Sequence, residues 1–362
     1  MNIQKSTQNY ERWLSEHLKL DLDHLEKKHR FMASDAFIFL RATYYRWAQI
    51  YPEICPDLQD APRLLSVADL HIENFGTWRD EEGRLIWGIN DFDEAYPLPY
   101  SNDLVRLATS ANLAIHANHL RIKLHEACTT ILAGYTEGMA KEGKAFVLEE
   151  EHKPLRLLAL SRLRDPVHFW QKIDTQVSPA KAVPGLVKRM LKQSLPEAAV
   201  IDRIVKRQAG QGSLGRQRFV ALAHLAGARI AREAKALAPS ACLYAAGEDS
   251  PTKILYAKIL KRAVRCPDPF VHIESDWVLR RLAPDCSRID LSTLPEGRDE
   301  AMLLFCMGRE IANVHHGTPD KRKDVLKDLY SRHHMWLERA VDRMSEQVDK
   351  DHRTWRKFLK EA

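Results

Sequence analysis

The sequence predicts a helix-rich α+β fold with a small antiparallel sheet. Three observations predict it. Apolar residues recur at helical spacing along much of the chain, as in Phe37, Leu40, Tyr44, Trp47 and Ile50, and again in Leu303, Leu304, Met307, Ile311 and Val314. Short strand-like runs interrupt the helices at 85–89, 218–224 and 228–234, the last two joined at Ala226-Gly227, which suits a tight hairpin turn. The length of 362 residues and a hydrophobic content of 45% supply core for one large two-part domain or two ordinary ones.

Taken in order, residues 1–30 read as a polar helical lead-in. Residues 31–51 read as one buried helix, capped by Ser34 or Asp35 and carrying Arg41, for which a salt bridge on the helix surface is the plain reading. Leu64, Leu65 and Val67 form a short buried strand. It runs into the loop D-L-H-I-E-N, which begins at Asp69 and ends at Asn74. Eight residues of polar turn, 77–84, separate this loop from the strand at 85–89, which ends in D-F-D-E at Asp91, Asp93 and Glu94. A helix begins at Asp103, with Leu104, Leu107, Ala108, Ala111 and Ile115 on one stripe, and a second spans 121–139. Residues 141–200 are charged and punctuated by prolines, and read as helical hairpins and loops of the helix-rich part. Residues 250–265 read as a helix, 277–282 as a strand, and 300–316 as a helix ending in His315 and His316. A helix C-terminus favours His without a metal. The basic tail at 321–360 reads as a pair of packed surface helices.

Composition narrows the classes. No stretch approaches the ~18 apolar residues of a membrane span, and the N-terminal residues lack a signal-peptide apolar run. The cysteines lack metal-ligand spacing and read as reduced thiols, so a cytoplasmic protein without membrane partners is expected. A net charge of +6 suits a phosphate-bearing ligand and nucleic acid equally.

The chemistry lies in the paired acidic loops. Each follows an apolar strand. Mg²⁺ takes hard oxygen ligands, usually one or two carboxylates plus water and phosphate. Asp69 can address an attacking hydroxyl, while Asn74 and Asp91 can hold Mg²⁺ with Asp93 as a helper. Read alone, D-F-D-E is equally a solvated acidic turn and D-L-H-I-E-N a plain loop. Further along, Gly210, Gly212, Ser213 and Gly215 form G-x-G-S-x-G, whose glycines let backbone amides approach phosphates; a hairpin turn is the plain alternative. Arg232 and Lys235 follow Gly215 by 17 and 20 positions, which resembles the placing of the phosphate-binding Lys on the corresponding strand of protein kinases. An odd offset sets them on opposite faces of a regular strand, and sequence alone leaves the choice between them open.

V-A-D-L-H-I-E-N-F-G, I-N-D-F-D-E-A and N-D-L-V-R-L together resemble the catalytic core of aminoglycoside and choline kinases, which carry H-G-D-x-H-x-x-N, an I-D-F turn and an Asp-Leu pair opening a helix. The sequence more closely resembles the bacterial family known as domain of unknown function 2252, over most of the chain. The resemblance implies a two-lobed protein-kinase-like fold with Asp69 as catalytic Asp, Asn74 and Asp91 as metal ligands, Asp103 as a buried anchor of the loop, and His71 in support. Arg41 matches an Arg of the family that could reach phosphate, and Arg232 stands where the family has Lys. Ala68 departs from the usual Gly. No Glu partner for the strand cation is identifiable; Glu248 lies just before the helix at 250–265 and Glu233 in the strand. The glycine segment follows the catalytic loop instead of preceding it, so the expected fold is a circular permutant: 1–200 a helix-rich catalytic lobe, 201–292 a small nucleotide-binding lobe, and 293–362 helices returning to the large lobe.

The expected activity is an ATP- and Mg²⁺-dependent phosphotransferase acting on a small-molecule or protein hydroxyl, with nucleotidyl transfer open if the nucleotide binds reversed. The rivals are a nucleotide-binding regulatory protein without catalysis, a nucleic-acid-binding protein using the basic tail, and a metal-dependent hydrolase built on the acidic loops.

Overall fold

The computed structural model describes residues 1–149, 151–160, 165–210, 212–247, 254–286 and 299–361. The fold is mixed α+β, rich in helix, with small antiparallel sheets. The chain opens with helices α1 (Ile3–His17), α2 (Leu22–Met32), α3 (Ala36–Ala42) and α4 (Tyr44–Ile54). Asp21 and Asp35 cap α2 and α3 by accepting the His24 and Ile38 amides. The single helix expected over 31–51 is therefore divided. It breaks at Thr43, whose backbone leaves the helical region and whose hydroxyl donates to the Phe39 carbonyl at 2.7 Å. The break turns Arg41 toward the acidic loop and Trp47 toward α5 (Ser101–His116), where its indole donates to Asn102 at 3.0 Å.

Strand β1 (Arg63–Ser66) pairs with β4 (Tyr96–Pro99). Strand β2 (Phe75–Arg79) pairs with β3 (Leu85–Ile89), with Gly76 opposite Gly88. Much of the expected polar turn is thus strand, and the turn proper is 80–84, held by Asp80 accepting the Glu82 and Arg84 amides. Helix α6 (Leu124–Ala140) packs along α12 (Glu300–His315), and β5 (Phe146–Val147) extends the β2–β3 sheet. α7 (Lys153–Leu160) follows. The final helices α13 (Arg322–Ser331) and α14 (Trp336–Glu361) return to this body, whose large core includes Trp47, Trp87 and Trp355.

The second unit is a six-stranded antiparallel sheet in the order β10-β11-β9-β8-β7-β6: β6 (Val177–Pro179), β7 (Val200–Arg207), β8 (Arg218–Leu225), β9 (Ala228–Ala236), β10 (His272–Glu274) and β11 (Trp277–Leu282). The β8–β9 turn takes positive φ at Ala226 (48°) and Gly227 (81°), as a two-residue hairpin of strand-like twist requires. Helix α9 (Gly185–Gln193) covers one face through Phe219, Ala221, Ala234 and Trp277, and α8 (Pro166–Gln176) packs on Val220, Leu222 and Ala231 of the other. Residues 166–193 therefore pack with the sheet and not, as read from sequence, with the helix-rich part. α10 (Ala241–Ala246) and α11 (Tyr256–Arg262) lead back to the helical body; the helix expected over 250–265 is described from 254 onward and is only α11.

Candidate functional site

Asp103, fully buried in the first turn of α5, accepts the Val67 amide at 2.8 Å and the Ala68 amide at 2.9 Å, and so fixes the loop after β1. His315, at the end of α12, sits between Asp103 (3.2 Å) and the Tyr135 hydroxyl (2.8 Å). Ala68 takes φ +73°, the left-handed region where a Cβ is strained. Ala68 thus keeps a Gly-like backbone, held by the carboxylate behind it.

That loop presents Asp69. Its Oδ1 accepts from Arg106 Nη2 at 2.6 Å. Arg106 is fully buried, stacked over Trp47 and Tyr44. Burial raises the Asp69 pKa despite Arg106. The Asn74 amide donates to the Asp69 carbonyl at 3.0 Å and the Asp91 carbonyl at 3.4 Å, so one side chain ties the two acidic segments together. His71 is buried in the wall between them. Arg41 pairs at 2.5 Å with Glu73 of the same loop and is only 6% exposed, which replaces the helix-surface bridge expected of it.

Strand β3 delivers Asp91 and the turn carries Asp93. Lys235 of β9 meets both: its Nζ lies 3.2 Å from Asp91 Oδ2 and bonds the Asp93 carboxylate. Lys235 is almost wholly buried. Burial opposes charge on Asp91, but Lys235 and Arg280 outweigh it and hold that carboxyl well below the usual range. Burial and the Asp91 charge push Asp93 up. Arg216 reaches Asp93 at 3.2 Å and Glu94 at 2.8 Å, and Glu94 also accepts the Ala241 amide, so Glu94 is a strut between the two units. Glu233 shares the Lys235 face and binds Arg207 and Arg218; those cations override burial and lower its pKa to about 2.

Parity on β9 decides what spacing alone left open. Arg232 points to the opposite face, toward α9, where it donates to the Ser194 carbonyl and stacks on Phe270. It is therefore not one of the cations around Asp91. The glycine segment joins β7 to β8 and folds down onto the helical body. The Gly215 carbonyl accepts the Asp21 amide at 2.9 Å, and a Cβ on Gly212 would lie 2.6 Å from the Arg41 carbonyl. Gly210 takes φ +77°, and Ser213 Oγ accepts from Arg218 at 2.6 Å.

These segments surround a cavity of about 280 Å³ lined by Asp69, Asn74, Asp91, Asp93, the glycine loop and a ring of arginines. Sequence reading passed over Arg106, which holds Asp69 from behind, and Arg280 and Lys28, which line the cavity. The signal for the first two was arginine among apolar neighbours, in L-V-R-L and V-L-R-R-L; Lys28 carried none. Among the described residues, no group of three or more His, Cys, Asp or Glu is arranged to hold a metal. Asp91, Asp93 and the Asn74 amide offer hard oxygens, and Asp93 Oδ1 is buried with no hydrogen-bond partner among the described residues. Such a donor set fits Mg²⁺ when phosphate and water complete the shell.

Residues 21–164, less than half of the chain, match the bacterial family described as "Uncharacterized protein conserved in bacteria (DUF2252)". The chain is similar to that family there. The similar segment contains Asp69, Asn74, Asp91, Asp93, Asp103 and Arg106, and excludes the six-stranded sheet that supplies Lys235. No curated protein and no solved structure matches the chain. No helix among the described residues is long and apolar enough to cross a membrane.

Proposed function

We propose that this cavity binds ATP with Mg²⁺ and transfers a phosphoryl group to a hydroxyl acceptor, in a two-lobed, circularly permuted kinase-like arrangement. The helical body and the six-stranded sheet are its two lobes. What carries the reading is the meeting of Lys235 with Asp91 and Asp93 across 144 residues, beside Asp69 and Asn74. Two acidic loops and a distant strand cation, each weak alone, converge on one cavity.

Asp91 and Asn74, with Asp93, would hold the metal, which supplies charge neutralisation between the phosphates when bound. Lys235, Arg218 and Arg280 oppose the phosphate charge from the sheet side. Asp69 receives the acceptor's proton, and its raised pKa suits that part. Arg106 is a positioning residue: it holds the Asp69 carboxylate from behind while packed between Tyr44 and Trp47. The terminal phosphoryl passes to the acceptor oxygen, the hydroxyl proton goes to Asp69, and ADP leaves.

One observation favours a second reading, nucleotide binding without turnover: Lys235 engages both carboxylates that would hold the metal. Calorimetry of ATP with and without Mg²⁺, on wild type and Asp91→Ala, tests the site. Mg²⁺-dependent binding lost in the variant supports it, and no binding of ATP to wild type refutes it. ADP formation that persists at the wild-type rate in Asp69→Asn removes Asp69 from its part. Binding with no ADP formation under any acceptor leaves the regulatory reading in place.

A further inference from the structure

One cation of the cavity takes no part in the scheme above. Lys28 lies on α2, on the helical wall, and is 5% exposed. Among the described residues it makes no hydrogen bond and no ion pair; its ammonium lies 5.7 Å from the centre of the Tyr45 ring. The carboxylates that act on it are already engaged. Glu11 binds His29 at 2.7 Å, Glu94 binds Arg216 at 2.8 Å, and Asp69 binds Arg106 at 2.6 Å. Burial lowers the Lys28 pKa to about 8. An ammonium held in a site with little water and no counter-ion is unfavourable. Arg41, the next cation on this wall, spends one guanidinium nitrogen on Glu73 and leaves its buried Nε without a partner among the described residues. Among the described residues the helical wall thus holds one ammonium without an ion-pair partner, Lys28, and one unused guanidinium donor, Arg41 Nε. They are separate from the cations of the sheet wall, Lys235 and Arg218, which are paired with Asp91, Asp93 and Glu233.

We propose that Lys28 is the centre of an oxyanion subsite on the helical wall, and that the phosphoryl acceptor is a small hydroxyl compound carrying a phosphate or carboxylate. The identification of the acceptor rests on the phosphotransferase reading; the subsite does not. An oxyanion there supplies the missing counter-charge, and Asp69, which acts electrostatically on Lys28 and Asp91 alike, stands at the junction of the two walls.

The test is calorimetric titration of the full chain with inorganic phosphate and, separately, acetate. Wild type, Lys28→Met and Lys28→Arg are titrated with a non-hydrolysable ATP analogue and Mg²⁺ already bound. The expected result is that wild type binds at least one probe. Lys28→Met weakens that binding by about tenfold or more, as loss of a charge-assisted hydrogen bond does. Lys28→Arg recovers most of it. Binding of phosphate alone points to a phosphorylated acceptor, and binding of both probes admits a carboxylate. Lys28→Met is also expected to resist urea better than wild type, because it removes an unpaired buried charge; a purely structural lysine would give the opposite. Probe binding that is absent from wild type, or equal in wild type and Lys28→Met, overturns the subsite while leaving ATP binding to stand on its own measurement. Lys28-dependent phosphate binding in a protein that never binds ATP retains the subsite and removes the phosphotransferase.

Discussion

Replacing Lys235 by Met removes the one cation among the described residues that pairs with both Asp91 and Asp93. Lys235 is 1% exposed and Asp93 10%, so the pair is screened by little water. Breaking a buried ion pair by removing one partner destabilises by about 3–5 kcal/mol, because the other charge is left uncompensated. Three features of this site pull the value to the low end. Arg216 still lies 3.2 Å from Asp93, Arg280 still lies 3.7 Å from Asp91, and the buried ammonium, whose own pKa burial lowers, no longer has to be desolvated. The expected loss is about 3 kcal/mol at pH 8. Its pH dependence has a definite sign. The Asp93 pKa is already raised, and without Lys235 it rises further above its unfolded value. The folded variant then binds a proton that the unfolded chain releases, so its stability increases as pH falls, and the gap from wild type narrows. Urea unfolding of both proteins at pH 5, 7 and 8 measures this, and Asp93→Asn on the variant background recovers about 1–2 kcal/mol. A loss below about 1 kcal/mol at pH 8, or a gap that widens toward pH 5, would refute the pairing as the source of stability.

Glu310, buried beside Gly88, accepts the Ile89 amide and the Asn313 side chain, and burial raises its pKa from 4.5 to about 7. Its folded form keeps a proton that the unfolded chain has lost, so this group's stabilisation is present at low pH and is lost as pH rises from 4.5 to about 7. Glu310→Gln should flatten that slope in urea midpoints measured across this window; an unchanged slope assigns it elsewhere. Gly212→Ala would set a Cβ 2.6 Å from the Arg41 carbonyl. It should lower stability by about 1–3 kcal/mol and make the glycine loop more sensitive to protease; a change near zero in both would contradict the close packing. Asp103→Asn keeps one acceptor oxygen and strands one of the Val67 and Ala68 amides, which predicts a loss of about 1–3 kcal/mol in urea unfolding. Wild-type stability in that variant would mean that the loop after β1 is held by something else.

What sequence alone determined was local. The β8–β9 hairpin was legible because its turn needs two positive-φ residues in succession, and Ala226-Gly227 stands between two alternating runs. Helix α5 and the acidic turn at Asp91 and Asp93 were legible because a 3.6-residue stripe and a strand-end carboxylate pair are each visible within about ten residues. The left-handed backbone of Ala68 was not legible, since alanine gives no sign of a positive φ and the carboxylate that holds it comes from α5. Tertiary structure decided the rest. Residues 75–79 became a strand because β3 offered them a ladder, and the helix over 31–51 broke at Thr43 because its two halves pack on different partners. Spacing placed Arg232 and Lys235 on opposite faces but could not say which face looks toward Asp91, since that depends on how the whole sheet docks on the helical body. Lys28 was an ordinary lysine of a polar helix in sequence. Only the fold buries it, because burial is a sum over neighbours brought from distant parts of the chain, and no local window contains them.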